Sequence, residues 1–403
     1  MSLNQSKKNK YDNMILILVA SIATGYFGGG VLSVPNLLIV LFCLPSLLSN
    51  SKFFHNIHFV HVSVFLVSWL LFCFLSLIWT SHIIKGGMTV FLYFSRILMC
   101  FEILVFSFRA KTPLNSICDG WVLAVCLTTI VALWELITDH HLAIAKETDF
   151  NPIEMIVDKG HASVTFYNPN TYSMFLVMSF PFLMYRFLTS RKLSFLVPIF
   201  LVAYIILKNG SRGSILSLGI MLLIYILNGL KSRNSRIVAL LFILFLTSVL
   251  LIFGEKLFAV FIVRMEMQGI QDNSRLEIWM GAWDLFVKSK GLGCGVGSMG
   301  VLLPSLNRFG IGYAHCMLLE SMIEGGAFLL SLILYFLLKV IKSAFSEKNL
   351  SIKVLLFSVI IAFPVYTIIN SEYLRPAFIW CFFFSTYIFS IYYKINSDCF
   401  RTI

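Results

Sequence analysis

The chain has 403 residues, of which 59% are hydrophobic and only 12% charged, with 39 Phe, 15 Tyr and 7 Trp and a formal net charge of +12. A soluble domain of this size has no interior able to hide that much apolar surface, and half the usual charged fraction of about 25% leaves it no hydrophilic shell. In a soluble protein +12 would point to nucleic acid; here the placement of the cations along the chain explains it, and no nucleic-acid partner is expected.

A helix needs about 20 apolar residues to cross the hydrocarbon core of a bilayer. The apolar runs predict about twelve crossings, near 14–29, 32–50, 59–79, 87–107, 117–138, 169–188, 194–208, 214–230, 237–254, 315–341, 354–370 and 377–393. The runs are continuous rather than alternating, which excludes the strand pattern of a barrel. The expected fold is therefore an all-α integral membrane protein, a single polytopic domain over residues 1–403. The nine cysteines show no pairing or metal-binding spacing; Cys43, Cys73, Cys126 and Cys381 lie inside apolar runs, where the thiol behaves as a small hydrophobe.

At the start of the chain, Lys7, Lys8 and Lys10 precede the first run, which resembles a signal peptide but is read as a retained helix because so many crossings follow. With this end in the cytoplasm, Arg109 and Lys111, Arg186 to Lys192, Lys231 to Arg236 and Lys339 to Lys353 all fall on inward connections. That is the positive-inside pattern, and it places both termini inside. Arg96, Glu102 and Glu135 lie within apolar runs, where such residues face the bundle interior and mark pathways or pair with one another.

Two outward segments are long. One runs from about His140 to Asn168; His140, His141 and His161 within it have no spacing that supports a metal site. Beyond it, Asn209-Gly210-Ser211-Arg212-Gly213 leaves almost no loop between two apolar helices, so Arg212 is held at the outer interface. There it either snorkels to lipid headgroups or grips a phosphate with both arms of its guanidinium.

The second outward segment, about 255–314, carries Lys256, Arg264, Arg275, Lys288, Lys290 and Arg308. Solvation of a long loop explains such cations, and so does an anionic ligand. Within it Ser274-x-x-Glu277 has the spacing of a capping box. Leu276, Trp279, Met280, Trp283, Phe286 and Val287 then recur along one helical face, and Gly291 follows as a stop. This predicts an amphipathic helix on the outer membrane surface with Arg275 at its N-terminus, where unpaired amides favour anions. Gly291, Gly293, Gly295 and Gly297 imitate a phosphate loop, but without a preceding strand they predict a flexible or tightly turned interfacial segment. His315 opens the next helix, with Glu320 and Glu324 on the following turns. It is either a structural hydrogen-bonder or, with a near-neutral pKa, the natural general base of this face.

Four features occur in order: Phe166-Tyr167-Asn168-Pro169-Asn170, Ser211-Arg212-Gly213, Arg275-x-x-x-Trp279 leading to the glycines, and Tyr313-Ala314-His315 leading to Glu320 and Glu324-Gly325-Gly326. Together they resemble the O-antigen ligase and polymerase family of bacterial surface-polysaccharide assembly, over about residues 130 to 330. The segment Trp134 to Leu142 resembles one common in the polymerase members. The resemblance implies a C-type glycosyltransferase bundle (GT-C) acting on polyprenyl-diphosphate-linked glycan in the bacterial cytoplasmic (inner) membrane. It also implies that the site faces outward and uses no metal or other cofactor. Arg212 and Arg275 would hold the diphosphate, and His315 would act as base or orient the acceptor hydroxyl. Asn170, Glu320 and Glu324 would support them. Cys316 stands where the family commonly has Asn. The expected reaction is polymerisation of lipid-linked repeats, with a chain-length regulator as a possible partner. A ligase transferring the chain to lipid A-core is the close alternative. A transporter or lipid flippase is the alternative of another class, disfavoured because the two halves show no repeat.

Overall fold

The computed structural model describes residues 8–25, 33–47, 57–142, 160–229, 244, 247, 272–308, 310–369 and 374–399. Regular structure among them is entirely helical: α1 (Lys10–Ala20), α2 (Val34–Leu47), α3 (Ile57–Ser76), α4 (Ile83–Arg109), α5 (Pro113–Thr138), α6 (Pro169–Ser190), α7 (Leu196–Asn209), α8 (Arg212–Gly229), α9 (Asp272–Lys288), α10 (Met317–Ser346), α11 (Leu350–Tyr366) and α12 (Ala377–Cys399), with short helical turns between them. Each crossing expected from the sequence overlaps one of these helices, 14–29 only over its first part, except 237–254, of which only residues 244 and 247 are described; most of the 140–168 segment and the first part of the 255–314 segment lie outside the described residues. By length and composition α4, α5, α6 and α10 are long and apolar enough to cross a membrane. The exterior carries Val40, Leu41, Leu71, Ile84, Met88, Ile130 and Leu223 exposed. Water would oppose such a surface, and lipid accepts it.

Helix α6 occupies the middle of the bundle. It is buried on every side from Thr171 to Tyr185 and packs against α5, α7, α8, α11 and α12, as expected of a helix apolar all round. The ring of Phe182 stacks on Trp121 of α5 at 5.1 Å.

The helix ends separate into two groups. At one end Asp12, fully buried, accepts hydrogen bonds from the main-chain amides of Lys111 and Thr112 and from the hydroxyls of Thr112 and Ser116. Lys8 and Arg186 both pair with Asp119 there, at 2.7 and 2.6 Å. The α4–α5 connection and Arg186 of α6 thus gather at the start of α1. The other end gathers the tip between α7 and α8, the turn after α11 and the residues leading into α10, and the conspicuous residues of the sequence meet here.

Candidate active site

The organising element is a short turn, Thr367 to Ile369, that follows α11. Its three residues each meet a different part of the chain. The amide of Met317 donates to the Thr367 carbonyl at 2.9 Å, fixing the start of α10 two residues after His315. The Nη1 of Arg275 donates to the Ile368 carbonyl at 3.5 Å. At Gly213, next to Arg212, a methyl group would lie 2.8 Å from Cγ1 of Ile369. Arg212, Arg275 and His315, separated by up to about a hundred residues in sequence, are therefore carried to one turn.

Arg212 opens α8 two residues after Gly210, whose φ of 62° ends α7 in the left-handed region that glycine favours. Ser211 and Ser214 join hydroxyls at 2.9 Å beneath the tip, leaving the arginine side chain exposed. The tip is anchored by Asn209, nearly fully buried, whose side chain bonds both main-chain groups of Ala162 as well as the Ser173 hydroxyl. Asn170 lies beside this anchor on the exposed first turn of α6, its amide capped by Asn168 at 2.7 Å.

Helix α9 carries Arg275 exposed in its first turn. The expected capping box is not how the helix begins: α9 already runs from Asp272, so Ser274 lies inside it, and Glu277 turns instead to Arg308, accepting its amide at 2.7 Å and its Nε at 3.0 Å. The expected apolar face also divides. Leu276, Met280, Trp283 and Val287 are exposed, whereas Trp279 turns inward and donates its indole N–H to the Ala314 carbonyl at 2.8 Å. Ile278, Ala282 and Leu285 form the buried side, against Leu303, Ala314 and Ile323. Arg275 and Trp279 are one helical turn apart and project together toward the segment holding His315, which gives the Arg-x-x-x-Trp spacing a physical meaning.

His315 is half-buried with φ of 49°. Burial, and then the neighbouring Arg275 guanidinium, lower its pKa from the ordinary 6.5 to about 4. The value lies below the near-neutral one expected from the sequence, and it favours the neutral imidazole.

Glu320 and Glu324 are both buried in α10. The helix is interrupted at Gly326, with φ of 61° and ψ of −157°, and the glycine run fills the break. The amides of Cys294 and Gly295 donate to the carbonyls of Ile323 and Glu324 at 2.7 and 3.1 Å, and the Ala327 amide donates to the Gly291 carbonyl at 2.8 Å. The Glu324 carboxylate accepts the Gly297 amide at 3.1 Å. Glycine is required because Gly293, Gly295 and Gly297 all have positive φ and approach other backbone atoms closely. The run is thus the tightly turned alternative rather than the flexible one. It completes the backbone hydrogen bonding of a broken apolar helix, a condition for placing one in a membrane.

The loop's other side leans on the end of α3 and the α3–α4 connection. Thr80 donates to the Val296 carbonyl at 2.9 Å, Trp79 to Gly293 at 3.1 Å, and the Val296 amide to Ser76 Oγ at 3.2 Å. Sequence reasoning missed Asn209, the Thr367–Ile369 turn and this connection. Only Asn209 gave a signal, as an amide in the last turn of an apolar helix. Below Met317, between α3, α10 and α12, lies a groove lined by apolar side chains, among them Phe65, Trp69, Phe336, Trp380 and Phe383. On α4, Arg96 bonds Asn36 at 2.7 Å and the Arg375 carbonyl at 3.2 Å.

Residues 197–334 match the family model described as O-Antigen ligase. The resemblance read from the residues is thereby shown over that span, which contains Arg212, Arg275, His315, Glu320 and Glu324 but not Asn170. The teichuronic acid biosynthesis protein TuaE of Bacillus subtilis (strain 168) is 22% identical over 293 residues, which cover 68% of this chain and 59% of that protein. The alignment thus takes in less than two thirds of the relative's length. The apolar helices α4, α5, α6 and α10 are those of a membrane protein.

Proposed function

We propose that this protein is a membrane glycosyltransferase that polymerises polyprenyl-diphosphate-linked oligosaccharide repeats at the outer face of the bacterial cytoplasmic membrane. The observation that carries the reading is the convergence of Arg212, Arg275 and His315 on the Thr367–Ile369 turn, at the end of the bundle opposite the cationic connections. Diphosphate is already a good leaving group, so positioning and charge stabilisation are most of what a protein must add. Arg212 and Arg275 hold the diphosphate. An acceptor hydroxyl attacks the anomeric carbon as the bond to the diphosphate oxygen breaks. Neutral His315 accepts the hydroxyl's hydrogen bond and orients it. As the bond forms, the proton passes on to the departing diphosphate or to solvent, because the imidazole does not retain it near neutral pH.

Glu324 supports this arrangement by holding the glycine loop in the broken helix, Glu320 by its buried place one turn earlier in α10, and Asn170 by its place beside the Asn209 anchor. The exposed stripe of α9 rests on the outer leaflet, and the aromatic groove below Met317 suits the hydrocarbon of the carrier. The bundle crosses the bilayer about twelve times with both termini cytoplasmic. Transfer of a finished chain to lipid A-core uses the same donor chemistry and differs only in acceptor, so ligation is the second reading.

Complementation of a deletion strain with wild type, Arg212→Ala, Arg275→Ala and His315→Ala tests this, with membrane levels checked and surface glycan resolved by length. A polymerase deletion leaves single repeats on the lipid anchor, and the three variants fail to restore the ladder. Full-length chains stranded on the carrier would identify a ligase, and an unchanged ladder in all three variants would overturn the enzymatic reading.

A further inference from the structure

Glu135 is the strangest buried group at the site end of the bundle. It is fully buried in the last turn of α5, where the negative pole of the helix opposes a carboxylate. Its oxygens are consumed by main-chain amides from both sides of the first outward segment. One accepts from Ser163 and Val164 at 2.8 and 2.9 Å, the other from Leu142 at 2.9 Å. Val164, a β-branched residue, has φ of 53°, a conformation that persists only where its surroundings impose it. Across this stretch the rings of His141 and His161 stack at 4.7 Å. The residue between His161 and the strained turn is Ala162, the one gripped on both main-chain groups by Asn209, at 2.8 and 2.9 Å. Three positions beyond Asn209 stands Arg212.

We propose that Glu135 and Asn209 are positioning residues for Arg212. The carboxylate fixes the turn at Ser163 and Val164, the turn fixes Ala162, and Ala162 holds the Asn209 amide, which sets where the arginine emerges. The inference rests on the reading of Arg212 given above and extends it to a relay in which Glu135 never touches substrate. Gln at 135 turns an N–H group toward amides that are themselves donors, so at least one of the bonds is lost while size is kept. Asp at 209 keeps an acceptor for the Ala162 amide and loses the donor to its carbonyl.

The test is a double-mutant cycle on the full-length protein in lipid nanodiscs, using as donor the lipid-linked glycan that accumulates in a deletion strain. Glu135→Gln and Asn209→Asp are each expected to lower kcat/KM by roughly tenfold, since small displacements of a gripping group are costly. In an Arg212→Ala background each is expected to cost almost nothing further, while in a Trp279→Phe background the tenfold loss persists. A general packing defect would instead cost the same in every background, and that result overturns the relay while leaving Arg212's own role intact. Full activity of Arg212→Ala overturns that role and the relay with it. Amide hydrogen exchange provides a readout independent of turnover: it should speed up over residues 207–214 and stay unchanged over 315–325. Unchanged exchange over 207–214 in both variants overturns the proposal. Should Glu135→Gln fail to accumulate, Asn209→Asp carries the same comparisons.

Discussion

Arg275 lies near enough to His315 to disfavour a second positive charge there, and with burial it holds the imidazole pKa at about 4. The acid limb of transfer activity is therefore expected near pH 4 instead of near 6.5. Replacing Arg275 with Gln removes the lesser of the two causes and moves the imidazole pKa upward, though not fully to 6.5, because burial remains. The same lowered pKa acts on stability. Between pH 6.5 and 4 the unfolded chain binds the proton and the folded one does not, so His315 makes the protein less stable as pH falls through that window. Titration of the histidine by NMR in wild type and Arg275→Gln checks both statements; a value near 6.5 in the wild type would sink them.

Gly213 has no room for a side chain beneath Ile369. Gly213→Ala should displace the Arg212 tip and cost about 1–3 kcal/mol of stability, as overpacking does, together with most of the activity. Ile369→Ala in the same chain removes the Cγ1 group that obstructs it and should restore part of both. Failure of the second substitution to rescue would show that the contact is not what limits residue 213.

Gly326 and Gly219 offer a contrast. A methyl group at Gly326 would fall on the backbone of Gly291 and Leu292, and φ there is +61°, whereas at Gly219 it meets nothing within 4 Å. Gly326→Ala should prevent docking of the glycine loop and abolish folded protein at physiological temperature. Gly219→Ala should leave thermal stability unchanged or raise it by up to about 1 kcal/mol, from helix propensity. Detergent-solubilised melting curves of the two variants distinguish these outcomes.

Trp279→Phe keeps the ring but deletes the hydrogen bond to Ala314. The expected cost is about 0.5–1.5 kcal/mol in stability. Activity should fall severalfold, because the segment carrying His315 loses a tether. Cysteine or leucine at 279 should do worse, and a variant with unchanged activity would mean that the tether does not bear on His315.

Much of the helical plan was legible because long apolar runs admit few other structures, and the Asn209 to Gly213 tip was legible because nothing separates the two runs. The inward turn of Trp279 was not. Helix α9 has apolar residues on both its protein-facing and its exposed sides, Ile278, Ala282 and Leu285 against Leu276, Met280 and Val287, and periodicity cannot say which stripe meets protein. The state of His315 depends on burial and on Arg275, forty residues away, and neither is visible locally. The glycine run looked like an isolated oddity because its partners, Ser76 to Thr80 on one side and Ile323 to Ala327 on the other, are brought to it only by the fold.

The Thr367–Ile369 turn that receives Met317, Arg275 and Gly213 is made late in translation. A ribosome that has already made α8, α9 and the start of α10 has not yet supplied the surface on which they meet. The Arg212 tip thus lacks the Ile369 surface on which it rests until α11 has been made. The corner of the bundle that joins α8 to the start of α10 is therefore completed only from α11 onward.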